Sequence, residues 1–365
     1  MRRHYLDNIR WATVAIVVVY HVLFMYTTES VTTGLGRITN LEHQYYDVFL
    51  YIVYPWIMLV LFMVSGVCSR LYLERHSDTD FIKSRTTKLL VPSTVGLFAF
   101  QFIQGYLNVA LNDALNTFTG IPLPVQILII IASGQGVLWF IQLLWVYSML
   151  LVLIRKADKN DMVYRLGGKV NISAIILLVI PCFIAAQLLN TPIIAVYRIG
   201  LYLFAFLLGY FVLSHDEVVN ELKKWFPIFL IFSLILGTAF CIKYFGQNYA
   251  DKPINRTPLF VGYGYFACMA IIGGAAKYAD FQTAFTKWMS DRSFGLYVFH
   301  YLGISLVAYF AAKPGLMHPA LTYILSLIAG FGVGYLLNAI ISRLPFFRWA
   351  VLGIEKGKGD KDVKR

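Results

Sequence analysis

The stretch "RWATVAIVVVYH", residues 10–21, sets in line a cation, ten almost entirely apolar residues and a histidine. Continued through "VLFMY" it becomes an apolar run over 11–27, near the roughly 20 residues needed to cross a hydrocarbon core. Comparable runs recur at 48–73, 90–112, 137–154, 172–189, 197–213, 226–243, 258–276, 294–311 and 320–341. They predict an all-α polytopic membrane bundle of about ten transmembrane helices, because in lipid the backbone must satisfy its own hydrogen bonds. A shorter run at 121–134, "IPLPVQILIIIASG", carries two prolines and is expected to be interfacial or re-entrant.

Composition agrees: of 365 residues, 59% are hydrophobic and 14% charged, and mean hydropathy is +0.67, unlike a soluble globular domain. No small-residue cleavage site follows "VLFMYTTES", so the first run reads as a span rather than a signal peptide. Cys68, Cys182, Cys241 and Cys268 fall in apolar runs without paired spacing, which points to core residues, with no disulfide and no metal site expected.

Lysine and arginine test the count independently. The termini and alternate connections carry 24 of them, the opposite connections four, and Arg70, Arg198 and Lys243 lie within the spans. That asymmetry predicts both termini in the cytoplasm, an even number of helices and a multi-pass protein of the cytoplasmic membrane. The net charge of +12 then reflects loops beside anionic lipid rather than nucleic acid binding. Residues 1–342 are expected to form one membrane domain, and 343–365, ending in "EKGKGDKDVKR", a basic cytoplasmic tail, disordered or lipid-facing.

Eleven residues at about 100° each return to nearly the starting direction, so Arg10 and His21 share one helix face, about 16 Å apart along the axis. Taken singly, Arg10 reads equally as a snorkelling cytoplasmic anchor and His21 as a hydrogen-bonded residue between helices. An ionisable group facing a bundle interior is also a functional candidate.

"YLDNIRWATVAIVVVYHVLFMY" resembles the first helix of the membrane-bound acyltransferase 3 family, which carries an arginine, ten residues and a histidine. "FMVSGVCSRLYLER" with "FIKSRTTKLLVPS" is similar to the family's second helix and basic segment, "GVLWFIQLLWVYSMLL" to its Trp-Phe helix, and "DRSFGLYVFHYLG" to its late helix ending in a histidine. Two positions depart from the pattern. The family's pair of arginines three apart stands here as Arg85 and Lys88, and a polar residue two before the tryptophan is replaced by Val137.

The resemblance implies O-acylation, commonly O-acetylation: transfer from a cytoplasmic acyl-CoA, acetyl-CoA in the common case, to a hydroxyl of a cell-envelope or surface polysaccharide, other carbohydrate or glycolipid. It implies donor binding by Arg85 and Lys88, with Trp139 either packing on the donor or filling the core, and catalysis by His21 and Arg10. An imidazole can accept a hydroxyl proton at neutral pH, and a transient acyl-imidazole is the competing scheme. Asp7, three residues before Arg10, and His300 are secondary candidates, each with an ordinary structural alternative. On the opposite side, "RITNLEHQYYD" offers Glu42 among tyrosines. Arg198, with Lys243 and Arg256, runs against the charge bias and hints at an anionic acceptor, though snorkelling accounts for at least two of the three. The lipid bilayer, the acyl-CoA, the acceptor and a separate extracytoplasmic acceptor-side protein are the expected partners. The alternatives from other classes are a transporter or exporter of an envelope molecule, which predicts intramembrane carboxylates or broken repeats, and a proton-linked sensor.

Overall fold

The computed structural model describes residues 3–27, 35–38, 45–189, 197–251 and 253–355, and among them every regular element is a helix. The first, α1 (His4–Tyr26), contains the β-branched run "VAIVVV", which has modest helix propensity in water. Lipid reverses the balance, since a helix is the one local structure that bonds all its own peptide groups. The chain continues through α2 (Val48–Leu73), α3 (Asp78–Leu111), α4 (Leu123–Ser133), α5 (Gly136–Ala157), α6 (Ile172–Gln187), α7 (Ile199–Phe211), α8 (Asp216–Tyr244), α9 (Pro258–Tyr278), α10 (Ala284–Ala312), α11 (Pro319–Ile341) and α12 (Pro345–Leu352).

Eight of these helices are long and apolar enough to cross a membrane: α1, α2, α3, α5, α8, α9, α10 and α11. The expected fifth and sixth spans, α6 and α7, are apolar but shorter, at 10–17 residues. The "IPLPVQ" segment forms α4, an 11-residue helix with no buried residue. Residues 345–352, expected within a loose tail, instead form α12, which buries Ala350, Val351 and Leu352 against α3 near Gly96. The remainder of that tail, 356–365, lies outside the described residues.

Several helices begin well before their apolar windows. In α3 the start is set by Ser77, whose Oγ accepts from the Asp80 amide at 3.1 Å. In α10 it is set by Thr283 and Thr286, which cap each other's backbone amides at 3.1 and 2.9 Å. Capping chemistry extends a helix past the point where hydropathy falls away. As a result Arg85 and Lys88 stand on helix rather than on a loop.

In α3 the turn Thr86–Leu90 is widened, with the Val91 amide reaching the Thr86 carbonyl. Pro92 follows directly; its ring would crowd the carbonyl of Lys88 in a regular helix, and a wider turn relieves that clash. The hydroxyls of Ser93 and Thr94 cover the carbonyls of Leu89 and Leu90 at 2.6–3.1 Å.

Packing centres on α1, which lies against α2, α9, α10 and α11. Helices α2 and α7 meet at Gly66 and Gly209, where an added Cβ would stand 2.0 Å from the Phe206 and Met63 carbonyl oxygens respectively. Only glycine permits so close an approach, a common way for membrane helices to gain packing.

The basic connections gather at one end of the bundle. Arg3 pairs with Asp216 at 2.9 Å, the Asn8 amide bonds the carbonyls of Ala279 and Phe281, and Arg155 pairs with Asp78 at 3.2 Å. At the other end Arg37 donates to the carbonyls of Phe24 and Thr27, and Tyr51 to that of Gln247.

Candidate active site

The α1 and α10 helices cross so that His21 Nδ1 lies 2.9 Å from His300 Nε2. His300 is fully buried, and its Nδ1 lies 2.8 and 3.2 Å from the carbonyl oxygens of Tyr297 and Leu296. Carbonyls only accept, so His300 Nδ1 carries the proton; in the neutral pair Nε2 must then accept, and His21 Nδ1 must donate. By elimination the lone pair of His21 sits on Nε2. That atom has no hydrogen-bond partner among the described residues, and His21 itself is only partly buried. Tyr20 and Tyr301 wall the ring edge-on, each with centroids 5.2 Å away.

Arg10 lies toward the basic end of α1, eleven residues before His21. Its Nη2 approaches Cys68 Sγ at 3.4 Å, and its Nη1 lies 3.5 Å from Asp7 Oδ1. The neighbouring Ser69 Oγ accepts from Arg85 Nη2 at 3.0 Å, while the Arg85 guanidinium stacks over Phe81 at 4.9 Å. Two guanidiniums thus converge on the consecutive residues Cys68 and Ser69, and among the described residues no carboxylate forms an ion pair with Arg85. Lys88 is exposed. Cys68 is only partly buried, so it is less a core residue than its apolar setting predicts.

Trp139 does not touch the arginine cluster. It packs against Tyr202 and Tyr197 at 5.7 and 6.0 Å and remains partly exposed. Its neighbour Phe140 contacts Tyr297 at 6.0 Å, and Tyr297 lies 6.4 Å from His300. The Tyr297 hydroxyl donates to the carbonyl of Val137, so the position lacking a polar side chain contributes its backbone instead. From His21 in the other sense, Tyr20 stacks on Tyr54 at 5.9 Å, and Tyr54 lies 4.7 Å from the guanidinium of Arg198. Tyr202, one helical turn after Arg198, returns to Trp139. Together these contacts close a circuit through α1, α2, α7, α5 and α10, with His21, Tyr54 and Trp139 keeping partial exposure.

Glu42 lies outside the described residues. The sequence reading passed over a buried amide ladder on α3: Gln101, Gln104 and Asn108. Gln104 Nε2 donates to Ser305 Oγ at 3.0 Å, and Asn108 accepts from the Gly36 amide at 3.0 Å. Its signal was the spacing of 101, 104 and 108, one face of a helix. The ladder fastens α3 to the His300 helix and holds residues 35–38 over the end of α1 beyond His21, where Ile38 bonds the Met25 carbonyl at 2.9 Å.

Compared with known families, residues 3–342 match the acyltransferase 3 family, described as an acyltransferase domain. Neither curated proteins nor solved structures give a match.

Proposed function

From the premise that this chain belongs to the acyltransferase 3 family and is a membrane acyltransferase, we propose that it moves an acyl group, acetyl in the simplest case, from cytoplasmic acyl-CoA to a hydroxyl of an envelope carbohydrate or glycolipid. The observation that carries this reading is the unpartnered Nε2 of His21, fixed as the basic nitrogen by the bond from its Nδ1 to His300.

Coenzyme A is polyanionic, and the convergent Arg10 and Arg85, with Lys88 three residues after Arg85, supply the cationic end where its phosphates would sit. His21 lies about 16 Å further along α1, a span suited to the extended pantetheine arm. His21 Nε2 takes the proton of the acceptor hydroxyl as its oxygen attacks the thioester carbonyl. A C–O bond forms, the C–S bond breaks, and the proton passes from His21 to the departing thiolate. His300 touches neither reactant in this scheme; it is a positioning residue that holds the tautomer and orientation of His21. The excess of Lys and Arg at the arginine end supports a cytoplasmic orientation for it, and in this reading the acceptor approaches from the opposite side.

The test is incubation of membranes containing the protein with acetyl-CoA labelled in its acetyl group. Label appearing covalently in envelope carbohydrate supports the reading, and release of free acetate alone or no turnover counts against it. A transporter is not favoured by the family match.

A further inference from the structure

Arg198 begins α7 at the end of the bundle opposite Arg10, and it is 2% exposed. Its Nη2 donates to the Ala250 carbonyl at 3.0 Å, and its buried Nε has no hydrogen-bond partner. Among the described residues no carboxylate forms an ion pair with it, and Asp251 is engaged by Asn248 Nδ2 at 2.7 Å. The guanidinium lies over two rings, Tyr54 and Phe260, each 4.7 Å from its centre. Two other arginines of the bundle have more of their N–H groups engaged. Arg37 donates to two backbone carbonyls, and Arg70 pairs with Glu74 and Asp161.

A buried cation is costly unless its charge and its N–H groups are both answered. Aromatic faces answer part of the charge and none of the directional N–H capacity. The first turn of α7 adds positive potential of its own, since its leading amides have no intrahelical acceptor. An oxyanion at this point would answer both the unpaired Nε and the positive start of the helix. Tyr54 joins it through Tyr20 to the wall of His21, and Tyr202 joins it to Trp139, so the site is continuous with the aromatic surround of His21.

We propose that Arg198 anchors an oxyanion, carboxylate or phosphate, on the acceptor, making the acceptor an acidic sugar. This rests on the acyltransferase reading for the word acceptor, while the anion site itself is open to test without turnover.

The experiment uses the purified full chain in detergent, with thermal unfolding followed in glucuronate, glucose 1-phosphate or glucose at equal ionic strength. At least one of the two anions should raise Tm where glucose does not, and which of them does so distinguishes carboxylate from phosphate. Arg198→Gln should weaken the anion's apparent affinity by at least about tenfold. Its Tm without ligand should be unchanged or higher, because a purely structural arginine would leave the variant less stable. Arg198→Lys, which retains charge but not the planar fork, should keep the wild-type Tm and lose most of the anion response. A wild type indifferent to both anions, or an anion response of wild-type affinity in either variant, overturns the proposal. Loss of acyl transfer in membranes with the anion response intact would instead count against the acyltransferase reading alone.

Discussion

His300 Nε2 accepts from His21 Nδ1 at 2.9 Å while His300 Nδ1 is tied to the Tyr297 and Leu296 carbonyls, so a backbone turn of α10 sets the proton position on a ring in α1. Removing His300 should therefore slow the chemical step without touching donor binding. His300→Ala is expected to lower kcat about 10- to 100-fold with KM for acetyl-CoA unchanged. His300→Gln, whose side chain can still accept from His21, should recover part of the loss. A purely structural role would instead lower Tm and move both constants together.

Protonation gives a second expectation. Uptake of a proton on His21 Nε2 removes the lone pair the mechanism uses, so acyl transfer should fall as pH is lowered. In His300→Gln the midpoint of that fall should move, since the partner accepting from Nδ1 has changed. An unaltered profile would separate His300 from the titrating group.

Arg85 carries the donor expectation. Arg85→Ala should raise KM for acetyl-CoA by about tenfold or more while kcat changes little, as for a lost charge-assisted phosphate contact. Lys88→Ala should have a smaller effect, because Lys88 is exposed and its single ammonium lacks a bidentate fork. Steady-state kinetics on purified protein decide both.

Cys68 offers a readout of the same region without turnover. Its sulfur is 3.4 Å from Arg10 and only partly buried, whereas Cys182 and Cys268 are buried. Maleimide should modify Cys68 faster than those two, and coenzyme A should slow that reaction. Labelling unaffected by saturating coenzyme A would place the donor elsewhere.

The α2–α7 crossing makes a prediction about stability. Gly209→Ala would put a methyl 2.0 Å from the Met63 carbonyl oxygen, forcing the helices apart. A loss of about 1–3 kcal/mol is expected, measured as a fall in Tm in detergent.

Apolar windows and loop charge were enough to read the helical bundle, and the Arg10 to His21 spacing put both on one helix with the arginine toward the basic end. The early starts of α3 and α10 were masked because capping residues carry little hydropathic signal. The shortness of α6 and α7 was hidden for the opposite reason, since apolar flanks continue past the helical hydrogen bonds. His300 was visible as a candidate, yet its partner was not, because a contact 279 residues apart leaves no local pattern. Trp139 illustrates the same limit: its type suggested donor or core, and only packing showed that it joins the histidine pair through Phe140 and Tyr297.

The most direct test of the central claim compares wild type and His21→Ala for acetyl transfer from labelled acetyl-CoA to envelope carbohydrate, with coenzyme A protection of Cys68 confirming an intact donor site in both. The account predicts that His21→Ala retains protection and loses transfer by at least about 100-fold. Equal labelling of the carbohydrate by the two proteins would contradict it.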